Sequence, residues 1–134
     1  MSTREAARHW AEVWQKAWES HDVEAITALY SDEALFQSHP FRAPEPAADY
    51  VARVFGEERG AQALFAEPLV DGECAVVEWR AQTRLVDGGE EALSGVSLLR
   101  FGGDGRVLEQ RDIWCEADAH PSHAREPEAP VPSS

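Results

Sequence analysis

Cysteine is scarce in this 134-residue sequence: only Cys74 and Cys115 occur, far apart in the chain. Neither sits in a CxxC pair or beside a histidine at metal spacing, which excludes a disulfide scaffold and a thiolate zinc site. Both are expected to be reduced, half-buried strand residues. No apolar run approaches the ~18 residues that a membrane-spanning helix needs, so no membrane role is expected. Positive charge is short as well. Lys and Arg number 12 against 25 Asp and Glu, a formal net charge of −13. Such a surface repels phosphate backbones, so nucleic acid is not an expected partner, and the excess charge serves solubility. The start, "MSTREAARHW", lacks the apolar core of a secretion signal, so the expected location is the cytoplasm. There is no Ser/His/Asp order, no P-loop and no zinc signature. The glycine groups "DGG" and "GGDG" precede no helix and serve turns. No metal and no cofactor are expected.

What is present is apolar patterning. Hydrophobic residues make up 43% of the chain, enough for one real core at this length. Trp10, Val13, Trp14, Ala17 and Trp18 recur at helical spacing, while Arg4, Glu5, Arg8, Glu12 and Lys16 fall mostly on the opposite face. Three tryptophans on one stripe need a broad surface to lie against, such as a curved sheet. Asp22 is a good N-cap for a second helix, "VEAITALY", with Ile26, Leu29 and Tyr30 on its buried side. "ALFQS" then reads as a short strand. Pro40, Pro44 and Pro46 hold the following segment open as a loop. A third helix, "AADYVARVFGEE", places Tyr50, Val51, Val54 and Phe55 inward and is expected to end at Gly60.

Beyond Gly60 the period becomes two. "QALFAEP" is a candidate strand. In "ECAVVEWRAQTRLV", Ala75, Val77, Trp79, Ala81, Thr83 and Leu85 share one face. Turns at Asp71-Gly72, at Asp87 to Gly89 and at Gly102 to Gly105 link this strand to "EALSGVSLLRF" and "RVLEQRDIWCE". The expected fold is α+β: three N-terminal helices packed on a strongly curved antiparallel meander sheet, making a cone with an apolar interior. Its open end is a natural small-molecule site. Residues 1–116 form this domain. Residues 117–134, rich in Pro, Ala and Glu, are expected to be a flexible tail, with His120 and His123 as solvated side chains.

The segments "WQKAWESHDVEAITALYSDEALFQSHPF", "DGECAVVEWRAQTRL" and "GVSLLRFGGDGRVLEQRDIW" resemble the nuclear transport factor 2-like superfamily, most closely its SnoaL-like (polyketide-cyclase-like) branch. The resemblance covers roughly Glu5 to Glu116. It implies the cone fold and a homodimer, and the superfamily holds isomerases, cyclases, epoxide hydrolases and non-catalytic binding proteins. The ketosteroid isomerases of this superfamily use a strand carboxylate base, an oxyanion-binding tyrosine and a protonated aspartate. Ser38 or His39, Trp14 and Ser97 stand at the matching positions, so that mechanism does not carry over. The cyclases use an acidic base on the last strand, and Asp112 in "QRDIW" matches it.

Strand parity ranks the candidates. Asp112 alternates with Gln110 and Trp114; if Trp114 faces the interior, so does Asp112, as a carboxylate of raised pKa able to act as a base. His39 is a second catalytic candidate, since imidazole titrates near neutrality. Yet if Phe36 points inward, a regular strand also turns Ser38 inward and His39 outward. Pocket candidates are Trp14, Tyr30, Phe36, Ser38, Phe55, Trp79, Ser97 and Trp114, whose aromatic walls suit a small apolar or aromatic molecule. Glu78, Arg80, Gln82 and Arg84 fall on the outer face with Val76, a mixture that fits a homodimer contact. Two functions follow: an acid-base enzyme of isomerase, cyclase or hydrolase type acting on an apolar carbonyl- or epoxide-bearing ligand, or a non-catalytic ligand-binding or dimerisation domain.

Overall fold

The computed structural model describes residues 1–118. Helix α1, Thr3–Ser20, opens on a capping box: the Ser2 hydroxyl accepts from the Glu5 amide and the Glu5 carboxylate accepts from the Ser2 amide. It closes on His21, which takes the left-handed conformation at φ 56°. Its buried stripe holds Trp10, Trp14, Ala17 and Trp18, as the spacing predicts. Asp22 caps α2, Val23–Thr27, by accepting from the Ala25 amide. Then follow β1 (Tyr30–Gln37), β2 (Glu45–Pro46), α3 (Ala47–Gly56), β3 (Glu58–Phe65), β4 (Leu69–Asp71), β5 (Cys74–Leu85), β6 (Glu90–Phe101) and β7 (Val107–Asp118).

The helices pack against a curved, unclosed sheet of order β2-β1-β7-β6-β5-β3, with β4 on the free end of β5. Strands β3, β5, β6 and β7 form the antiparallel meander. On β5, Ala75, Val77, Trp79, Ala81 and Thr83 are buried on the inner face. Gly95 on β6 lies opposite Trp114 of β7, and a side chain there would meet the Ile113 carbonyl oxygen at 2.5 Å. Only glycine lets these two strands approach so closely.

Several expectations fail for identifiable reasons. Helix α2 stops at Thr27 because Tyr30 begins β1, where it pairs in parallel with Val107 of β7. The sheet therefore gains a parallel strand that the meander pattern did not contain. Helix α3 ends at Gly56 rather than Gly60, since Glu58 onward pairs with β5. Both cysteines are exposed rather than half-buried. Cys74 starts its strand beside the β4–β5 turn, and Cys115 falls on the outer face of β7. Strand β7 runs through Asp118, so Ala117 and Asp118 are strand rather than tail. The rest of the expected tail, including His120 and His123, lies outside the described residues.

Candidate active site

The inner face of the sheet, α1 and α3 enclose a cavity of about 510 Å³. Its walls are aromatic. Trp14 meets Phe36 and Phe55, and Trp18 meets Trp79 edge-on with ring centroids 5.9 Å apart. A carboxylate, Asp112, projects into this cavity from β7 and is only 8% exposed. Burial pushes its pKa up to about 7, against the opposing pull of hydrogen bonds from Ser97 and Gln110.

The hydrogen bonds around Asp112 run in one direction. Indole nitrogens can only donate. Trp10 and Trp14 both donate to the Tyr30 hydroxyl, at 3.2 and 3.0 Å, so the one proton of Tyr30 goes to Oε1 of Gln110. That fixes the Gln110 amide, whose nitrogen donates to Oδ1 of Asp112 at 2.9 Å. From the other side Trp79 donates to the Ser97 hydroxyl at 3.0 Å, leaving the Ser97 proton for the same Oδ1 at 2.7 Å. Asp112 Oδ1 is thus held by two donors. No described residue hydrogen-bonds Oδ2. The carboxylate is oriented by one oxygen and chemically free at the other.

Of the residues expected from sequence, Trp14, Phe36, Phe55, Trp79, Ser97, Asp112 and Trp114 line this cavity together. Tyr30 lies behind the lining as the buried hub of the network, and burial raises its pKa further still. Ser38 does face inward, as Phe36 does, but it also stays behind the lining. Its carbonyl accepts from the Trp114 indole, and its hydroxyl accepts from Arg42 at 3.1 Å. His39 does not line the cavity. It is half-buried at the rim, accepts from the Phe41 amide, and sets its ring edge against Trp114 at 5.0 Å. The proline after it turns the chain away before the imidazole can point inward.

Sequence reasoning missed Arg42, Tyr50, Glu58 and Gln110 as wall or network residues. Gln110 was legible in principle, because it shares parity with Asp112. Tyr50 stacks on Phe36 at 4.2 Å, and burial, Asp112 and Glu58 together raise its pKa, so it stays a neutral hydroxyl. Glu58 lies where β3 begins and accepts from the Trp18 indole at 2.8 Å. No trio of His, Cys, Asp or Glu among the described residues is arranged to hold a metal ion.

The family model described as a SnoaL-like domain matches residues 7–110, ending just before Asp112. No curated protein matches the chain by sequence. Solved structures share the fold at low identity. A hypothetical protein from Catenulispora acidiphila with a ketosteroid isomerase-like fold, in complex with trimethylamine, is 16% identical. The match covers 77% of this chain and 82% of that one, with a TM-score of 0.67. An epoxide hydrolase of Mycobacterium tuberculosis, described as LEH-like, is 15% identical over 85% of this chain and 86% of its own, with a TM-score of 0.69. A putative aromatic ring hydroxylase from Novosphingobium aromaticivorans is 13% identical over 92% and 96%, with a TM-score of 0.71.

Proposed function

The chain belongs to the SnoaL-like domain family, and from that premise we propose that its cavity is the active site of a cofactor-independent acid-base enzyme. The substrate in this reading is a small apolar molecule bearing a carbonyl or an epoxide. One observation carries it: Asp112 has one oxygen clamped by Ser97 and Gln110 and the other open to an aromatic cavity. A carboxylate so placed, with a pKa of about 7, is half-ionised at neutral pH and strongly basic for its type. It would take a proton from a carbon next to a carbonyl, or from a water adding to an epoxide. The neutral Tyr50 hydroxyl, which also faces the cavity, would donate to the substrate oxygen as charge builds there. His39 would support the Trp114 wall rather than touch substrate. A protein of the same fold acts on an epoxide, since the mycobacterial protein is an epoxide hydrolase.

The test uses 5-nitrobenzisoxazole, a planar carbon acid. A base removes its C3 proton, the N–O bond breaks, and a coloured cyanophenolate forms. Turnover is expected to exceed that by free acetate, to rise with pH through about 7, and to vanish in Asp112→Asn. Equal rates in the variant would remove Asp112 as the base. Binding of apolar aromatics without turnover of any carbon acid or epoxide would favour the non-catalytic binding role.

The same reading includes a homodimer. On the outer sheet face Val76, Val96, Leu98 and Ile113 form adjacent cross-strand pairs, flanked by Glu78 and Arg111, and Ile113 is 49% exposed. An apolar centre with a charged rim suits a second copy of the chain. Light scattering at micromolar concentration should give twice the monomer mass, and Ile113→Asp should halve it.

A further inference from the structure

Asp112 leaves a second buried carboxyl in the cavity unused. The Glu58 side chain is 7% exposed. Its Oε2 accepts a hydrogen bond from the Trp18 indole, and the His21 Nε2 stands 3.6 Å away with no hydrogen-bond partner of its own. The His21 ring cannot swing freely. It stacks on Phe55 at 4.8 Å, and its backbone forms the left-handed cap of α1. No described residue hydrogen-bonds Oε1 of Glu58. This oxygen is a strong acceptor, open to the cavity and without a donor.

The charge around it is one-sided. Among the described residues Glu57, Glu58, Asp87, Glu91, Asp112 and Glu116 line the cavity, against the single guanidinium of Arg42. Arg42 is already engaged, bonding Ser38 and lying over the Trp114 ring at 5.6 Å. An anionic ligand would meet repulsion here, and a purely apolar one would leave Oε1 unpaired. A protonated amine answers both. Its N–H groups can bond Oε1, and its carbons can rest on aromatic faces whose quadrupoles attract a cation.

We propose that this end of the cavity binds the protonated amine of an apolar ligand, with Glu58 as counter-ion and the Trp18 and Phe55 rings as walls. The proposal rests on the reading of the cavity as a ligand site and adds the ligand's charge to it. It carries a pH signature. The groups facing Glu58 are His21 from α1, Glu57 beside it, Glu91 from β6 and Tyr50 from α3. Burial, reinforced by Glu57 and Glu91, pushes the Glu58 pKa up to about 7. Glu91 is itself pushed up by burial and by Glu116. An ammonium favours the ionised carboxylate, so amine binding strengthens as pH rises through 7 and releases a proton below it.

Calorimetry with 1-naphthylmethylamine and its neutral twin 1-naphthylmethanol tests this. At pH 8 the amine should bind about tenfold tighter than the alcohol, and the preference should shrink severalfold by pH 6. Glu58→Gln should abolish the preference and leave alcohol binding unchanged, which also shows that the variant is folded. Asp112→Asn should weaken the preference only in part, because Glu58 remains as counter-ion, so failure of the catalytic reading would show separately. Glu24→Gln, at an exposed helix position, controls for net charge and should keep it. Equal binding of both ligands to the native protein, or a preference that survives Glu58→Gln, would overturn the proposal. If neither ligand binds, both the amine site and the ligand cavity are refuted.

Discussion

Asp112→Asn should stabilise this protein, and increasingly so as pH rises above about 4. Asn keeps an oxygen to accept from Ser97 and Gln110 and places a neutral NH₂ where Oδ2 now faces the cavity. It therefore removes the buried charge with little change of shape. The magnitude follows from linkage. Burial raises the Asp112 pKa from 3.8 to about 7, so the folded state holds this proton more tightly than the unfolded chain. Stability from that difference is complete below about pH 4 and is lost as pH rises through 7. At ~1.36 kcal/mol per pH unit, the buried carboxyl lowers stability by about 4 kcal/mol at pH 8 and by a little over a third of that at pH 5, where it must take up a proton to fold. Urea unfolding of both proteins at pH 5 and pH 8 measures it. The variant's advantage should be small at the lower pH and about 3 kcal/mol larger at the higher one. Glu58 is raised in the same sense, so some loss of stability toward high pH should remain in the variant. Parallel pH dependences for the two proteins would refute the raised pKa, and with it the case for Asp112 as a base poised near neutrality. A gain in stability at the expense of turnover is the pattern expected when a strained group is kept for function.

Two further outcomes follow from the same geometry. Ser97→Ala removes one of two donors to Oδ1 and orphans the Trp79 indole; a charge-assisted bond of about 1.5–3 kcal/mol corresponds to an Asp112 pKa higher by roughly 1–2, visible in a carboxyl carbon-13 titration. An unmoved titration would show that Ser97 does not support the ionised form. Gly95→Ala would drive its methyl into the Ile113 carbonyl oxygen and the Trp114 Cβ, at 2.5 and 2.6 Å. It should destabilise by about 3 kcal/mol and shift Trp114 emission, and native-like unfolding would contradict this strand register.

Periodicity carried the parts of this structure that depend on one element at a time. The tryptophan stripe of α1, the inner face of β5 and the inward turn of Phe36 and Ser38 all follow from spacing, because a side chain's direction within a helix or strand is set by the backbone repeat. The shared parity of Gln110, Asp112 and Trp114 follows for the same reason. Parity says which way a side chain points, but not what lies in front of it. Ser38 points inward and still stays behind the cavity wall, because Trp114 and Arg42 cover it.

Other features depended on contacts between distant segments. Tyr30 belongs to a helix by local pattern and to a strand by pairing, since β7 offers it a parallel partner 77 residues downstream at Val107. Glu58 looks like one more charge in the run "GEER" at the end of a helix. It becomes a buried, protonatable group only because β3 starts there and the Trp18 indole and the His21 ring close over it. The sequence by itself determined an acidic α+β chain with one aromatic helix face, one apolar sheet face and an aspartate among tryptophans on its last strand. Only the tertiary structure decided which carboxyl oxygens are held and which are free. That choice rests on donors brought together from α1, β5, β6 and β7, and no local period encodes the distance between them.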